Sequence, residues 1–389
     1  MFLFLFQTLH KYTHKNILCN IIFLCGISNN MCNLNEYIIN KNNLKTNVQK
    51  VRRRVGNNVK ICAVVKADAY GLGVENVIPI IDDEVDFYAV VSVMEALELR
   101  KISLEKPILI LGAANLKYAN ECAKRNIRLS ISTVQEVEYL NKNLTEKIKV
   151  HLKINTGMNR YGITTLKELK AVEREINKSD KIVVEGVYTH FATKSSDLAF
   201  IEKQYEKFQK MLKNILYKDI IVHCASSFVI LNDKKKLCNM CRLGFSLYGD
   251  LYDRLNIKNV VGVRAKVMFI HTISSGETVG YDRTYTADKK TKIAVCSMGY
   301  ADGFARNLSN KFRVLINGQW ASVVGRVCMD CFMVDVTKIK NVYVGSTVTI
   351  LGEDGKNKIT LSDIADVINF SPYEVLLNFR KRRMNIVVK

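Results

Sequence analysis

The 389-residue sequence predicts an α/β architecture, a (β/α)8 barrel of the TIM type followed by a mainly β C-terminal domain. Three observations carry that prediction. β-branched apolar runs recur from about residue 59 to residue 248 at intervals that suit a strand plus a helix. Eight such units over about 200 residues match the size of a closed parallel barrel. Beyond about residue 257 the runs become short or alternating, with Gly or Asn turns between them, as in a β domain.

The first element in order is a helix over about 34–55. Strands are expected at 59–65, 86–92, 107–112, 127–131, 149–154, 183–189, 219–224 and 240–248, with helices between them, for example over 94–101 and 134–141. An open doubly wound sheet competes with the barrel, but no Gly-x-Gly-x-x-Gly turn follows any of these strands. Later strands are expected within 265–273, 293–297, 312–316 and 347–351. Near the end, Ser371 as N-cap, Pro372 at the first helical position and Glu374 at the third form a capping-box start. The organisation that follows is an N-terminal extension over 1–33, a barrel over 34–256 and a β domain over 257–389.

Composition narrows the function classes. A hydrophobic content of 48% with only three prolines argues against disorder. The net charge of +21 comes from scattered clusters such as Arg52-Arg53-Arg54, Lys234-Lys235-Lys236, Lys289-Lys290 and Arg380-Lys381-Arg382-Arg383. No RNA-binding motif or zinc-finger spacing accompanies them, so they read as solvated surface and no nucleic-acid partner is expected. Two short helices before the basic tail resemble a helix-turn-helix, but the second begins with apolar residues where base-reading side chains belong. Eleven cysteines, with Cys62, Cys224, Cys296 and Cys328 inside apolar runs, point to buried free thiols in a reducing compartment. The pairs Cys238-x-x-Cys241 and Cys328-x-x-Cys331 lie too far apart for ordinary zinc knuckles, and no metal is expected. Ile17 to Ile27 is long enough for a signal-peptide core and too short to span a bilayer, so no membrane partner is expected. A start at Met31 is a competing reading of the first thirty residues. The expected location is cytoplasmic, with an exported form left open by that stretch.

The chemistry gathers at the predicted strand ends. Lys66 closes the run Ile61-Cys62-Ala63-Val64-Val65, where desolvation lowers an amine's pKa and makes it a nucleophile suited to an aldehyde cofactor. The Gly71-x-Gly73 turn lets backbone approach such a cofactor, with Tyr70 in reach of its polar groups. A lysine snorkelling into water beside a Gly turn is the ordinary alternative. In a βα barrel, active-site residues collect at the C-terminal ends of strands, and here those positions hold Lys66, Lys153, His190, Ser226-Ser227 and Arg242. Arg242 lies in an otherwise apolar run and needs an anionic or acceptor partner inside. Ser227 and the backbone amides near Gly244 suit a phosphate.

These residues resemble a known family. Ala63-Val64-Val65-Lys66-Ala67-Asp68-Ala69-Tyr70-Gly71 resembles the pyridoxal-phosphate lysine motif of alanine racemases. The resemblance continues in collinear order through His151-Leu152-Lys153-Ile154-Asn155-Thr156-Gly157-Met158-Asn159-Arg160, Thr189-His190-Phe191-Ala192, Arg242-Leu243-Gly244 and Gly280-Tyr281. It ends with Gly299-Tyr300-Ala301-Asp302-Gly303, Gly325-Arg326-Val327-Cys328-Met329-Asp330 and Tyr373-Glu374.

The resemblance implies a pyridoxal 5'-phosphate enzyme that interconverts L- and D-alanine for cell-wall peptidoglycan. Racemisation needs a proton removed from one face and returned on the other, so two acid–base groups must flank the cofactor. By similarity Lys66 is the cofactor lysine and one base, and Tyr281 is the other. A phenol needs a nearby cation to act near neutrality, and His190 beside Arg242 resembles that assistance. Arg242 resembles the partner of the pyridine nitrogen, which it would leave unprotonated. Tyr70, Ser227, Tyr373 and the backbone at Gly244 and Phe245 match the phosphate cradle. Arg160 and Met329 match substrate contacts, Tyr300 and Asp330 the substrate entrance, and Lys153 a lysine carried in the family as a carbamate able to orient Arg160. Tyr281 and Met329 reach the partner subunit's barrel in that family, which implies a head-to-tail homodimer.

The sequence departs from the family pattern at Leu72, Asn155, Asn159, Ser226, Lys194-Ser195 and Cys331, and its basic Arg380-Lys381-Arg382-Arg383 lacks the usual proline. None of these removes a base or a cofactor contact. A racemase for serine or a broader substrate range is the near alternative, since pocket size sets that choice. The α-decarboxylases sharing this plan lack the two-base set. A barrel that binds the cofactor without turnover is the remote alternative, against which the β domain carrying Tyr281 speaks.

Overall fold

A computed structural model describes residues 34–192, 197–249, 255–379 and 384–389. The N-terminal extension, Lys194-Ser195 and Arg380-Lys381-Arg382-Arg383 lie outside the described residues. Two compact units are present. One gathers Ile38–Val261, Ser371–Leu377 and Val388–Lys389, and the other gathers the described residues up to Tyr37, Gly262–Phe370 and Asn378–Val387.

The chain begins with a correction to the sequence reading. Residues 34–39 were expected at the head of a helix, but Asn35–Ile39 is a strand, β1, and the helix is confined to Lys41–Val55. Burial alternates along β1, with Asn35, Tyr37 and Ile39 inside, which is the period of a strand and not of a helix. Asn40 then caps the helix by accepting the N–H of Asn43 at 2.8 Å.

The first unit is a parallel (β/α)8 barrel, as the sequence predicts. Its strands are β2 (Lys60–Val64), β3 (Phe87–Val90), β4 (Ile108–Ile110), β5 (Ile127–Ile131), β6 (Ile148–Lys153), β7 (Ile182–Tyr188), β8 (Ile221–His223) and β9 (Met240–Leu243). They pair side by side in the order β8-β7-β6-β5-β4-β3-β2-β9, every neighbour parallel. The Arg242 N–H donates to the Ala225 carbonyl at 2.9 Å and joins the two ends of that order. Helices over Val93–Arg100, Val134–Asn143 and Leu166–Ile176 cross between strands, the last two behind full capping boxes at Thr133 and Thr165. Ser371 and Glu374 cap the helix Pro372–Asn378 reciprocally: Ser371 Oγ accepts the Tyr373 N–H at 3.3 Å, and the Glu374 carboxylate accepts the Ser371 N–H at 2.8 Å.

The second unit is mainly antiparallel. Val261–Ile273 (β10), Thr291–Cys296, Arg313–Ile316, Gln319–Val323, Phe332–Asp335 and Thr347–Asp354 form a ring, because the last of these pairs with both β10 and Arg313–Ile316. Closure removes the exposed strand edges that a flat sheet would present. Among the described residues no helix is long and apolar enough to cross a membrane. Of the four cysteines expected inside, Cys62, Cys224 and Cys296 are buried and Cys328 is half-buried.

Candidate active site

A cavity of about 700 Å³ opens at the C-terminal strand ends of the barrel unit, and Lys66, Tyr70, Lys153, Arg160, His190, Ser227, Arg242, Gly244, Phe245 and Tyr373 all line it. Ten of the sequence-predicted site residues therefore meet at one place. Tyr281, Tyr300, Met329 and Asp330 do not line it. They belong to the β unit, where Tyr281 is 68% exposed and Tyr300 and Met329 are also exposed. There the loops carrying them are laced together: the Tyr300 N–H donates to Cys328 O and the Ala301 N–H to Met329 O, both at 3.0 Å. Arg326 Nε lies 3.3 Å from the carboxylate of Asp282, the residue after Tyr281.

Lys66 is aimed by strain. It stands two residues past the end of β2, and Ala67, Asp68, Ala69 and Tyr70 after it all adopt left-handed backbone with φ between 52° and 57°. Such a conformation costs roughly 1–2 kcal/mol at each non-glycine residue. Local bonds offset the cost: Gly71 N–H to Ala67 O at 2.9 Å, Ala69 N–H to Val65 O at 2.9 Å, and Val74 N–H to the Asp68 carboxylate at 2.8 Å. Glu95 supplies the clamp that the sequence reading missed. It sits three residues after the N-cap Ser92, where an acid ordinarily caps its own helix, yet its carboxylate accepts the N–H of Ala67 at 2.9 Å and of Val91 at 2.7 Å. Burial, and then the Arg160 charge, lower the Lys66 amine's pKa, with Glu95 opposing them. The amine is thereby made a better nucleophile and base.

Arg242 finds acceptors and no acid. Its side chain is buried on β9 and donates to His223 Nδ1 at 2.8 Å, His223 O at 3.0 Å, Thr189 O at 2.7 Å and Cys224 O at 3.3 Å. Among the described residues no carboxylate lies within hydrogen-bonding distance of this guanidinium. His190 Nδ1 accepts from it at 3.4 Å. Burial, and then Arg242, Arg160, Lys153 and Lys66, push the His190 imidazole down to about 3. A ring so lowered carries no positive charge of its own near neutrality, and the cation that it meets is Arg242.

The opposite wall is a cradle of neutral donors. Ser227 Oγ accepts the N–H groups of Gly244 at 3.2 Å and Ser246 at 3.3 Å. A Cβ at Gly244 would lie 3.3 Å from the Tyr70 hydroxyl and 3.8 Å from Ser227 Oγ, filling the space between them. Burial pushes the Tyr70 phenol up to about 12, which keeps it an O–H donor. Tyr70, Tyr373 and Phe245 pack ring on ring, with Tyr373 centred 6.0 Å from Tyr70 and 4.3 Å from Phe245. A serine hydroxyl and two tyrosines beside the Gly244 backbone, all lining one cavity, fit a phosphate group, and Lys66 and Arg242 in the same lining fit the aldehyde and the ring nitrogen of pyridoxal phosphate.

Lys153 is the site's unusual cation. It is buried, with Nζ 3.5 Å over the ring of Tyr161 and 5.2 Å over that of Tyr188. Burial, then Arg160, Arg242 and Lys66, lower its amine to about 7. Two departures from the family pattern explain each other nearby. Asn159 adopts φ 52°, a left-handed backbone that Asn tolerates, and its Oδ1 accepts from Asn155 Nδ2 at 3.1 Å. Asn155 Oδ1 in turn accepts the N–H groups of Gly157 and Asn159.

Comparison with known proteins accounts for nearly the whole described chain. Residues 39–252 match the family described as alanine racemase, N-terminal domain, and residues 260–387 the alanine racemase C-terminal domain. A curated relative, alanine racemase 2 of Caldanaerobacter subterraneus subsp. tengcongensis, is 34% identical over 363 residues, covering 90% of this chain and 94% of its own. The solved structure of alanine racemase from Bacillus anthracis with bound L-Ala-P is 29% identical with a TM-score of 0.85, over 92% of this chain and 95% of the other. The structure from Bartonella henselae with covalently bound pyridoxal phosphate is 26% identical with a TM-score of 0.83, over 92% and 99%. A histidine racemase from Leuconostoc mesenteroides is also similar, at 26% identity, TM-score 0.83 and coverage of 92% and 98%.

Proposed function

The chain belongs to the alanine racemase family, and from that premise we propose how its own residues interconvert L- and D-alanine. The enzyme uses pyridoxal 5'-phosphate, which when bound supplies the electron sink that makes the α-proton of alanine removable. The observation that carries the assignment of roles is the single cavity whose walls hold Lys66, Arg242 and the Ser227–Gly244–Tyr70 cradle together.

Lys66 would hold the cofactor covalently and serve as the acid–base group on one face of Cα. Arg242, a donor that keeps its own proton, would partner the ring nitrogen and leave it unprotonated, which restrains side reactions. Tyr70, Ser227, Tyr373 and the backbone of Gly244 and Phe245 would hold the phosphate, with His190 among the residues that line the same cavity. Arg160 meets the substrate carboxylate. Lys153, free to lose its proton near neutrality, adds as the free amine to carbon dioxide and releases a second proton to solvent, and the resulting carbamate exchanges a buried cation among cations for an anion that orients Arg160.

The second base is Tyr281. It is 68% exposed on the β unit, as a residue reserved for another copy would be. The assembly is a head-to-tail homodimer in which Tyr281 and Met329 of each copy complete the other's cavity, with Tyr300 and Asp330 at the entrance. An isolated monomer is then inactive, and a fully active monomer in analytical ultracentrifugation would contradict the assembly. The product D-alanine serves cytoplasmic supply of peptidoglycan.

Exchange of the Cα proton for deuterium, followed for both enantiomers of alanine and of serine, tests the function. Alanine exchanging fastest, with racemisation, is the expected result. Faster serine exchange overturns the substrate, and no exchange with any amino acid overturns the racemase.

A further inference from the structure

Arg242's bond to His223 is the first link of a longer chain. His223 Nε2 lies 2.8 Å from His151 Nδ1, and His151 Nε2 lies 3.4 Å from Glu185 Oε2. Glu185 in turn accepts from Arg128 Nε at 2.7 Å and Nη2 at 3.0 Å, and from Lys149 Nζ at 2.8 Å. Both imidazoles are fully buried, and Tyr188 stacks on His223 with ring centres 4.7 Å apart.

The polarity of every link is fixed from its two ends. A guanidinium only donates, so His223 Nδ1 must accept. Burial first, then Arg242, keep His223 uncharged, so its one proton is on Nε2 and faces His151 Nδ1. His151, held neutral chiefly by burial, then carries its proton on Nε2, where the acceptor is Glu185. Burial alone would raise the Glu185 carboxyl, but hydrogen bonds from His151, Arg128 and Lys149 outweigh it and hold the group ionised. The opposite tautomer of His223 would set N–H against N–H at Arg242.

The backbone is shaped for this contact. Pairing between β6 and β7 runs Val150 to Val184 and then His151 to Gly186, so Glu185 is the extra residue of a bulge. A Cβ at Gly186 would come within 2.6 Å of the His151 ring at Cε1 and Nδ1, so only glycine leaves room for that imidazole.

We propose that His151 and Glu185 are positioning residues for Arg242, fixing the tautomers of two buried imidazoles in series so that the guanidinium is held by an acceptor and kept facing the cofactor ring. This rests on the role given to Arg242 above. Neither residue is among those that line the cavity, and their effect on the reaction passes through His223 and Arg242.

The test uses the holoenzyme with isotope-labelled histidine and reads the ring nitrogens by NMR, beside kcat and KM. In the wild type, His223 and His151 both show a protonated Nε2 and an unprotonated Nδ1. His151→Leu orphans the His223 N–H, alters the His223 nitrogen shifts and lowers kcat about 10-fold with less change in KM, as loss of about one buried hydrogen bond predicts. His151→Gln, which still accepts on one side and donates on the other, recovers most of both. Gly186→Ala removes no polar group, displaces the His151 ring and reproduces the His151→Leu effect even where that variant folds poorly. A wild-type His223 protonated on Nδ1, or folded His151→Leu and Gly186→Ala enzymes with unchanged His223 shifts and kcat, would overturn the proposal. A wild-type enzyme with the expected tautomers but no exchange of alanine would overturn the function and leave the relay standing.

Discussion

Lys66 and Tyr281 occupy opposite settings in one molecule. Lys66 lines the cavity and is followed by four residues of left-handed backbone, the first of which Glu95 pins through its amide while also holding the Val91 amide. Tyr281 stands 68% exposed on the β unit, where the loops carrying Tyr300 and Met329 are laced together by backbone hydrogen bonds. The contrast teaches that preorganisation within one chain is applied to the cofactor-holding half of the acid–base pair. The other half is displayed on the surface, and burial by a second copy is what would fit it for proton transfer.

Removing each base sharpens that contrast most. Lys66→Ala loses both covalent retention of the cofactor and one acid–base group, so racemisation should fall by about 10⁴-fold or more, and the cofactor should leave on gel filtration. Tyr281→Phe should fall about 10³-fold while the cofactor absorbance stays, because Lys66 and the phosphate cradle that hold the cofactor are unchanged. Equal loss of cofactor from both variants would break the division of labour.

Glu95 tests whether strain after Lys66 matters. Glu95→Ala leaves two amides without their acceptor beside a costly left-handed turn, so kcat should fall about 10-fold and the holoenzyme should melt earlier, a loss of about 1–3 kcal/mol. Unchanged kcat and Tm would show that the turn holds itself. A smaller, pH-linked effect belongs to Lys153. Its amine is drawn down to about 7 chiefly by burial and by Arg160, so above that pH it is free to carry a carbamate and below it is an ammonium that cannot. KM for alanine should therefore rise as the pH falls through about 7, and Lys153→Met should flatten that rise. Labelled bicarbonate followed by carbon NMR reads the carbamate directly.

How much of this was legible in sequence follows from the range of each signal. Barrel strands showed as apolar runs, and Lys66, Arg242 and Ser227 showed as polar residues at their ends, because strand periodicity and strand-end placement are local. The strand Asn35–Ile39 was hidden because five alternating residues run straight into an amphipathic helix. Glu95 gave no signal, since its partner Ala67 belongs to a neighbouring βα unit. His151 and Glu185 meet through a bulge in the register of β6 and β7, and no composition or spacing encodes a register. The lowered His190 pKa depends first on burial and then on cations such as Arg242 and Arg160 gathered from across the fold.

The central claim is that the two bases of one site come from different copies of the chain, and mixing inactive variants tests it most directly. Lys66→Ala and Tyr281→Phe enzymes, unfolded together and refolded as a mixture, form mixed dimers in which one of the two sites holds both an intact Lys66 and an intact Tyr281 from the partner. With random pairing the account predicts recovery of about one quarter of wild-type racemisation, because about half the dimers are mixed and each has one good site. No recovery above the separate variants, with mixed dimers demonstrated by native mass spectrometry, would contradict it.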